Sequence, residues 1–97
     1  MQRLKLDAQT DLNISKNIQK QRKNAKMTQE QVAARLQLMN LSINRSYYSQ
    51  IELGLLNVPI SMLVALKLIF QCEYADFFEG LEEQLTQSIS KAEQDDA

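Results

Sequence analysis

"TQEQVAARLQLMNLSINRSYYSQIELG", residues 28–54, holds two short helices and the connection between them, and its reading decides the fold. Thr28 is of a residue type that caps helix N-termini. Gln31, three positions on, can return the hydrogen bond and complete a capping box. Val32, Ala33 and Leu36 follow at helical spacing as an inward stripe. Asn44 is a second cap. It opens a helix over about residues 44–53, and Gly54 suits the left-handed conformation that ends one. Within this second helix Tyr48 and Ile51 lie one turn apart and belong to the core, with the Tyr48 hydroxyl expected at the surface. Arg45, Ser46, Ser49 and Gln50 point away from them. The joining stretch "QLMNLSI", residues 37–43, is more apolar than a plain turn.

Working outward, "MQRLKLDAQT" has no clear period and is expected to be a flexible arm over residues 1–10. From Asp11 a helical pattern places Ile14, Ile18 and Ala25 on one face, with Lys16, Lys20, Lys23 and Lys26 around the rest. Downstream, "ISMLVALKLIF", residues 60–70, is apolar almost all round except for Lys67, as in a helix buried on more than one side. "YADFF" predicts a short fifth helix before Gly80. In the tail, Phe78, Leu81, Leu85 and Ile89 recur at helical spacing, a narrow stripe that covers the core or pairs with a second chain. The closing "EQDDA" is expected to be disordered.

Two glycines and one proline in 97 residues leave little material for hairpins, and Ala, Leu, Gln, Lys and Glu favour helices. The fold class is all-α, a single compact domain over residues 11–79 with a helical, acidic tail over 80–97. The chain has no histidine, so it lacks the commonest general base and zinc ligand. With no acid–base pair or metal set assembled, neither an enzyme nor a cofactor is expected. Cys72 is alone and reads as a small buried residue, and a reducing cytoplasm is the expected setting. Gly54, Asn57, Pro59 and Lys67 interrupt the apolar stretch around them, so no membrane span is expected. The net charge of −1 hides an asymmetry: residues 1–50 carry a net +6 and residues 51–97 a net −7. A polyanion would meet the N-terminal half.

Residues 14–78 resemble the Cro and phage-repressor type of helix-turn-helix domain, the XRE-like regulators. The carrying residues are "NIQKQRKNAKMTQEQVAARL", then "RSYYSQIELG", then "LVALKLIFQCEYADFF". They match an Arg in the first helix, Thr-Gln-x-x-hydrophobic-Ala in the second, and Ser-x-hydrophobic-Glu-x-Gly in the third. The resemblance implies a five-helix bundle of the lambda-repressor-like kind, whose third helix enters the major groove of double-stranded DNA as part of a homodimer. By position it implies base contacts from Arg45, Ser46 and Gln50. Backbone contacts would come from Thr28, Gln29, Asn44 and Tyr47. The basic face of the first helix adds Lys20, Lys23 and Lys26 as expected phosphate-neutralising residues. Arg22 and Glu52 fall where the family ties its first helix to its third.

Two features depart from the family pattern. The connection between the second and third helices is longer by about four or five residues, like an extended-turn subgroup. After Gly54, where basic residues often touch the DNA backbone, stand Leu55 and Leu56. These two, with Phe78, Leu81, Leu85 and Ile89, offer a dimer or partner surface. The leading reading is therefore a small sequence-specific DNA-binding regulator, a repressor. The alternative is a protein-interaction module, or an antitoxin-like partner protein, working through the leucine-rich surface.

Overall fold

The computed structural model describes residues 13–96, which form six helices and no strand. These are α1 (Ser15–Asn24), α2 (Gln29–Leu38), α3 (Arg45–Glu52), α4 (Ile60–Phe70), α5 (Tyr74–Phe77) and α6 (Leu81–Asp96). The arm expected over residues 1–10, and the expected helix start at Asp11, lie outside the described residues.

The helix starts follow from side-chain chemistry. Thr28 and Gln31 form a reciprocal capping box, the Gln31 N–H donating to Thr28 Oγ1 at 3.1 Å and the Thr28 N–H to Gln31 Oε1 at 2.9 Å. Asn44 Oδ1 accepts the Tyr47 N–H at 2.8 Å. Just before these caps, Met27 packs on the core and Ile43 is buried, so each helix entry is also held by an apolar contact. The starts of α1 and α5 are tied differently: Asn13 Oδ1 accepts the Ser15 N–H at 2.7 Å, and the Glu73 N–H donates to Asp76 Oδ2 at 2.9 Å.

The first four helices all end alike. Lys26, Asn40, Gly54 and Gln71 each take the left-handed conformation, with φ of 58°, 66°, 78° and 56°. The residue after each closes a hydrogen bond back to the last full turn: Met27 to Arg22, Leu41 to Leu36, Leu55 to Gln50 and Cys72 to Lys67. Only one of the four positions is glycine.

Ile18, Val32, Leu36, Tyr48, Ile51, Met62, Leu66 and Phe77 are fully buried, so α1 through α5 all feed one core. Each fully buried aliphatic side chain contributes about 1.5–3 kcal/mol. Phe70 meets Phe77 edge-to-face with ring centroids 6.5 Å apart, and Asn17 Nδ2 donates to the carbonyls of Phe77 and Glu79, holding α5 against α1. Cys72 is half-buried at the core edge, and burial pushes its thiol pKa up.

Three expectations need correction. The Tyr48 hydroxyl does not reach the surface: the whole side chain is buried, because α3 presses it between α1 and the buried end of Glu52. Leu81 is 8% exposed and fixes the start of α6 to its own domain, so it is not part of an open stripe. Of the tail expected to be disordered, residues 93–96 are helical, since α6 continues to Asp96, and Ala97 lies outside the described residues. Beyond Leu81, the side chains of Glu82 through Gln87 and of Ile89 are exposed, so after its first turn α6 is held against the domain only along one edge, where Leu85 faces it.

Candidate nucleic-acid interface

The interface is built on a buried polar network beneath α3. Arg22 Nε donates to Glu52 Oε2 at 2.7 Å and Nη2 to Oε1 at 3.1 Å, a bidentate pair. Arg22 Nη1 donates to the Met27 carbonyl at 2.9 Å, and Gln29 Nε2 to Glu52 Oε1 at 3.0 Å. One carboxylate thus ties together α1, the start of α2 and the last turn of α3. Burial alone would raise the Glu52 pKa, but hydrogen bonds from Arg22 and Gln29, with the Arg22 charge, outweigh it and hold the carboxyl below its ordinary value. The Arg22 pKa is raised, chiefly by its hydrogen bond to Glu52. The Tyr48 hydroxyl lies beside the pair, buried and with no partner in hydrogen-bond geometry. Burial first, then the Glu52 carboxylate, pushes its pKa far up.

With Tyr48, Ile51 and Glu52 turned inward, the opposite arc of α3 is left to solvent. Arg45, Ser46, Tyr47 and Gln50 are exposed there, and Ser49 is half-buried. This face carries a bidentate cation, an amide that can donate and accept together, and hydroxyls. Those are the groups that read base edges. Thr28 and Asn44, both exposed, use an oxygen for capping, which leaves the Thr28 hydroxyl proton and the Asn44 amide protons to donate outward.

The remaining candidate residues separate. Gln29, expected at a phosphate, is half-buried with its amide committed to Glu52. Lys20 Nζ lies 3.4 Å from Glu79, both exposed, on the α5 side of α1. Lys23 and Lys26 are exposed, and Lys26 stands two residues before the α2 cap. Leu55, Leu56, Phe78, Leu85 and Ile89 are 36–68% exposed. At the C-terminal end of α3, Leu56, Val58, Phe78, Leu81 and Leu85 line an open groove of about 640 Å³ with Ile14. The groove joins segments far apart in sequence, and Ile14, placed by its spacing on the inward face of α1, is the lining residue with no mark as a surface residue.

The family model described as helix-turn-helix matches residues 18–77, more than half of the chain, from within α1 to the end of α5. The chain belongs to the Cro and XRE-like helix-turn-helix family. No curated protein and no solved structure matches it. The helix-turn-helix domain is that of a DNA-binding regulator, with α2 and α3 as the paired helices. Here they are separated by the six residues Met39–Asn44. No described helix is long and apolar enough to cross a membrane.

Proposed function

We propose that the chain is a sequence-specific transcriptional repressor that binds double-stranded DNA as a homodimer, with α3 in the major groove. The observation that carries this reading is the division of α3: a solvent-facing arc of Arg45, Ser46 and Gln50 backed by the buried Arg22–Glu52–Gln29 network. A helix clamped from behind keeps its reading face in place, which lowers the ordering cost of binding. Base edges are assigned to Arg45, Ser46 and Gln50. The backbone is assigned to Thr28, Asn44, Tyr47, Lys23, Lys26 and the N-terminal N–H groups of α2. Lys20 is a weaker candidate because Glu79 already sits beside it.

Dimerisation is assigned to the groove below α3 and the exposed Leu85 and Ile89 of α6. A seam there would set the separation of two α3 helices on paired half-sites. The same surface supports a second reading, a module that holds another protein through Leu55, Leu56 and Phe78. Duplex binding measured over a salt series separates the two. A repressor binds with log affinity falling linearly in log salt, whereas absence of binding at low salt favours the interaction module.

A further inference from the structure

The connection between α2 and α3 is neither loose nor plainly a spacer. It carries Met39, Asn40, Leu41, Ser42, Ile43 and Asn44. Leu41 is half-buried and packs on the core, and Ile43 is 7% exposed within it. Between and around these two anchors, Asn40, Ser42 and Asn44 are exposed. Leu41 and Ile43 thus pin the connection to the core on either side of an outward-facing Ser42, which sits at the tip of a tight turn. Hydrogen bonds reinforce it: the Leu41 N–H donates to the Leu36 carbonyl at 3.1 Å, the Ile43 N–H to the Leu41 carbonyl at 2.8 Å, and Gln37 Nε2 to the Ile43 carbonyl at 3.3 Å.

The outward side of this segment is a polar depression of about 440 Å³, lined by Gln37, Asn40, Leu41, Ser42 and Asn44. It is continuous with the start of α3, because Asn44 both lines it and caps that helix. Its charge setting is one-sided. Between Glu30 and Glu52 there is no acidic residue, while Arg35 and Arg45 lie within the same window. Nothing on this stretch is acidic, and the exposed Asn40, Ser42 and Asn44 carry amide and hydroxyl protons able to donate.

We propose that the extended connection is itself a DNA-contacting element, in which Asn40 and Ser42 hold the phosphate backbone at the edge of the groove that α3 enters. The proposal rests on the reading that α3 is the recognition helix. The contact is made by neutral donors, so it positions the domain on the duplex without reading sequence. Since two apolar anchors order the segment before binding, little entropy is lost when it meets DNA.

Charge placed at Ser42 tests this in the full chain. Ser42→Lys is expected to raise affinity for all duplexes alike and to steepen log affinity against log salt by about 1, and Ser42→Glu to lower affinity for all of them. Asn40→Gly keeps the left-handed backbone while removing the amide, and is expected to weaken binding about two- to tenfold without changing sequence preference. Gln87→Lys on exposed α6 serves as the control and is expected to leave the salt slope unchanged. If the Ser42 variants fold and bind with the parent's affinity and slope while Gln50→Ala loses selectivity, the connection is a spacer and the proposal is overturned. If the unaltered chain binds no duplex, the reading of α3 falls and the proposal with it.

Discussion

Arg22 and Glu52 stand thirty positions apart in sequence yet are joined by two hydrogen bonds, of 2.7 and 3.1 Å, directly behind the exposed face of α3. The Glu52 side chain is 1% exposed and that of Arg22 12%, so the pair is sheltered from solvent screening. Removing one partner leaves the other as an uncompensated buried charge. Glu52→Ala is expected to cost about 3–5 kcal/mol, in the range for a broken buried pair rather than an exposed one. Urea unfolding monitored by circular dichroism checks this, and an unchanged midpoint would mean that the pair contributes nothing.

The same carboxylate predicts an acid limb in stability. Its folded pKa lies below the ordinary glutamate value of about 4.3, so the unfolded chain binds the proton first as pH falls. The contribution of Glu52 is fully present above that ordinary value and is lost as pH drops through the folded pKa. Between pH 5 and 3, roughly, the parent should lose more stability than Glu52→Gln, which has no carboxyl to titrate there. Parallel stability curves for the two proteins would contradict the assignment.

Gln71 offers a test of backbone origin. Its φ of 56° places a side chain where glycine is at ease, on an exposed position. Relief of left-handed strain is worth about 1–2 kcal/mol, and the greater freedom of glycine in the unfolded chain offsets about 0.4–1 kcal/mol of it. Gln71→Gly should therefore stabilise the domain by about 0.5–1 kcal/mol. A lowered melting temperature would show that the glutamine side chain contributes more than the strain costs.

These left-handed positions also explain which features were legible in the sequence. The starts of α2 and α3 carry the chemical marks Thr28, Gln31 and Asn44, and the end of α3 carries Gly54, so those three ends are legible to within a residue, whereas α2 runs two residues into the stretch 37–43 expected to be connection. Lys26 and Gln71 end their helices in the same way as Gly54 but leave no comparable mark, because lysine and glutamine are not residue types that favour the left-handed conformation. Periodicity placed the Tyr48 ring in the core, yet it says nothing of where the hydroxyl goes. The family resemblance implies a phosphate contact at Gln29. Its amide meets Glu52 only because α3 brings that carboxylate across. The apolar groove needed Ile14 and Val58 beside the α6 stripe, a juxtaposition that no single stretch contains.

Leu85 tests the assigned seam. It is 46% exposed on α6 and lines the groove. Leu85→Glu should leave folding intact while weakening self-association at least about tenfold, since each copy would lose an apolar contact and bury a charge. Sedimentation of parent and variant over a concentration series reads this directly. A parent that stays monomeric with and without DNA would contradict the homodimer.

The most direct measurement of the central claim is the binding selectivity of Gln50→Ala. Gln50 lies one turn beyond Ser46 on the exposed arc of α3, on the side away from Tyr48 and Ile51. An exposed glutamine contributes little to folding, so the melting temperature should hold. Once a preferred site has been selected from a random duplex pool, the variant should lose about 1–3 kcal/mol of affinity for it and relax selectivity at one base position. Affinity for unrelated DNA should barely change, because it rests on backbone contacts. A variant that binds preferred and unrelated duplexes in the parent's ratio would contradict the assignment of α3 as the reading helix.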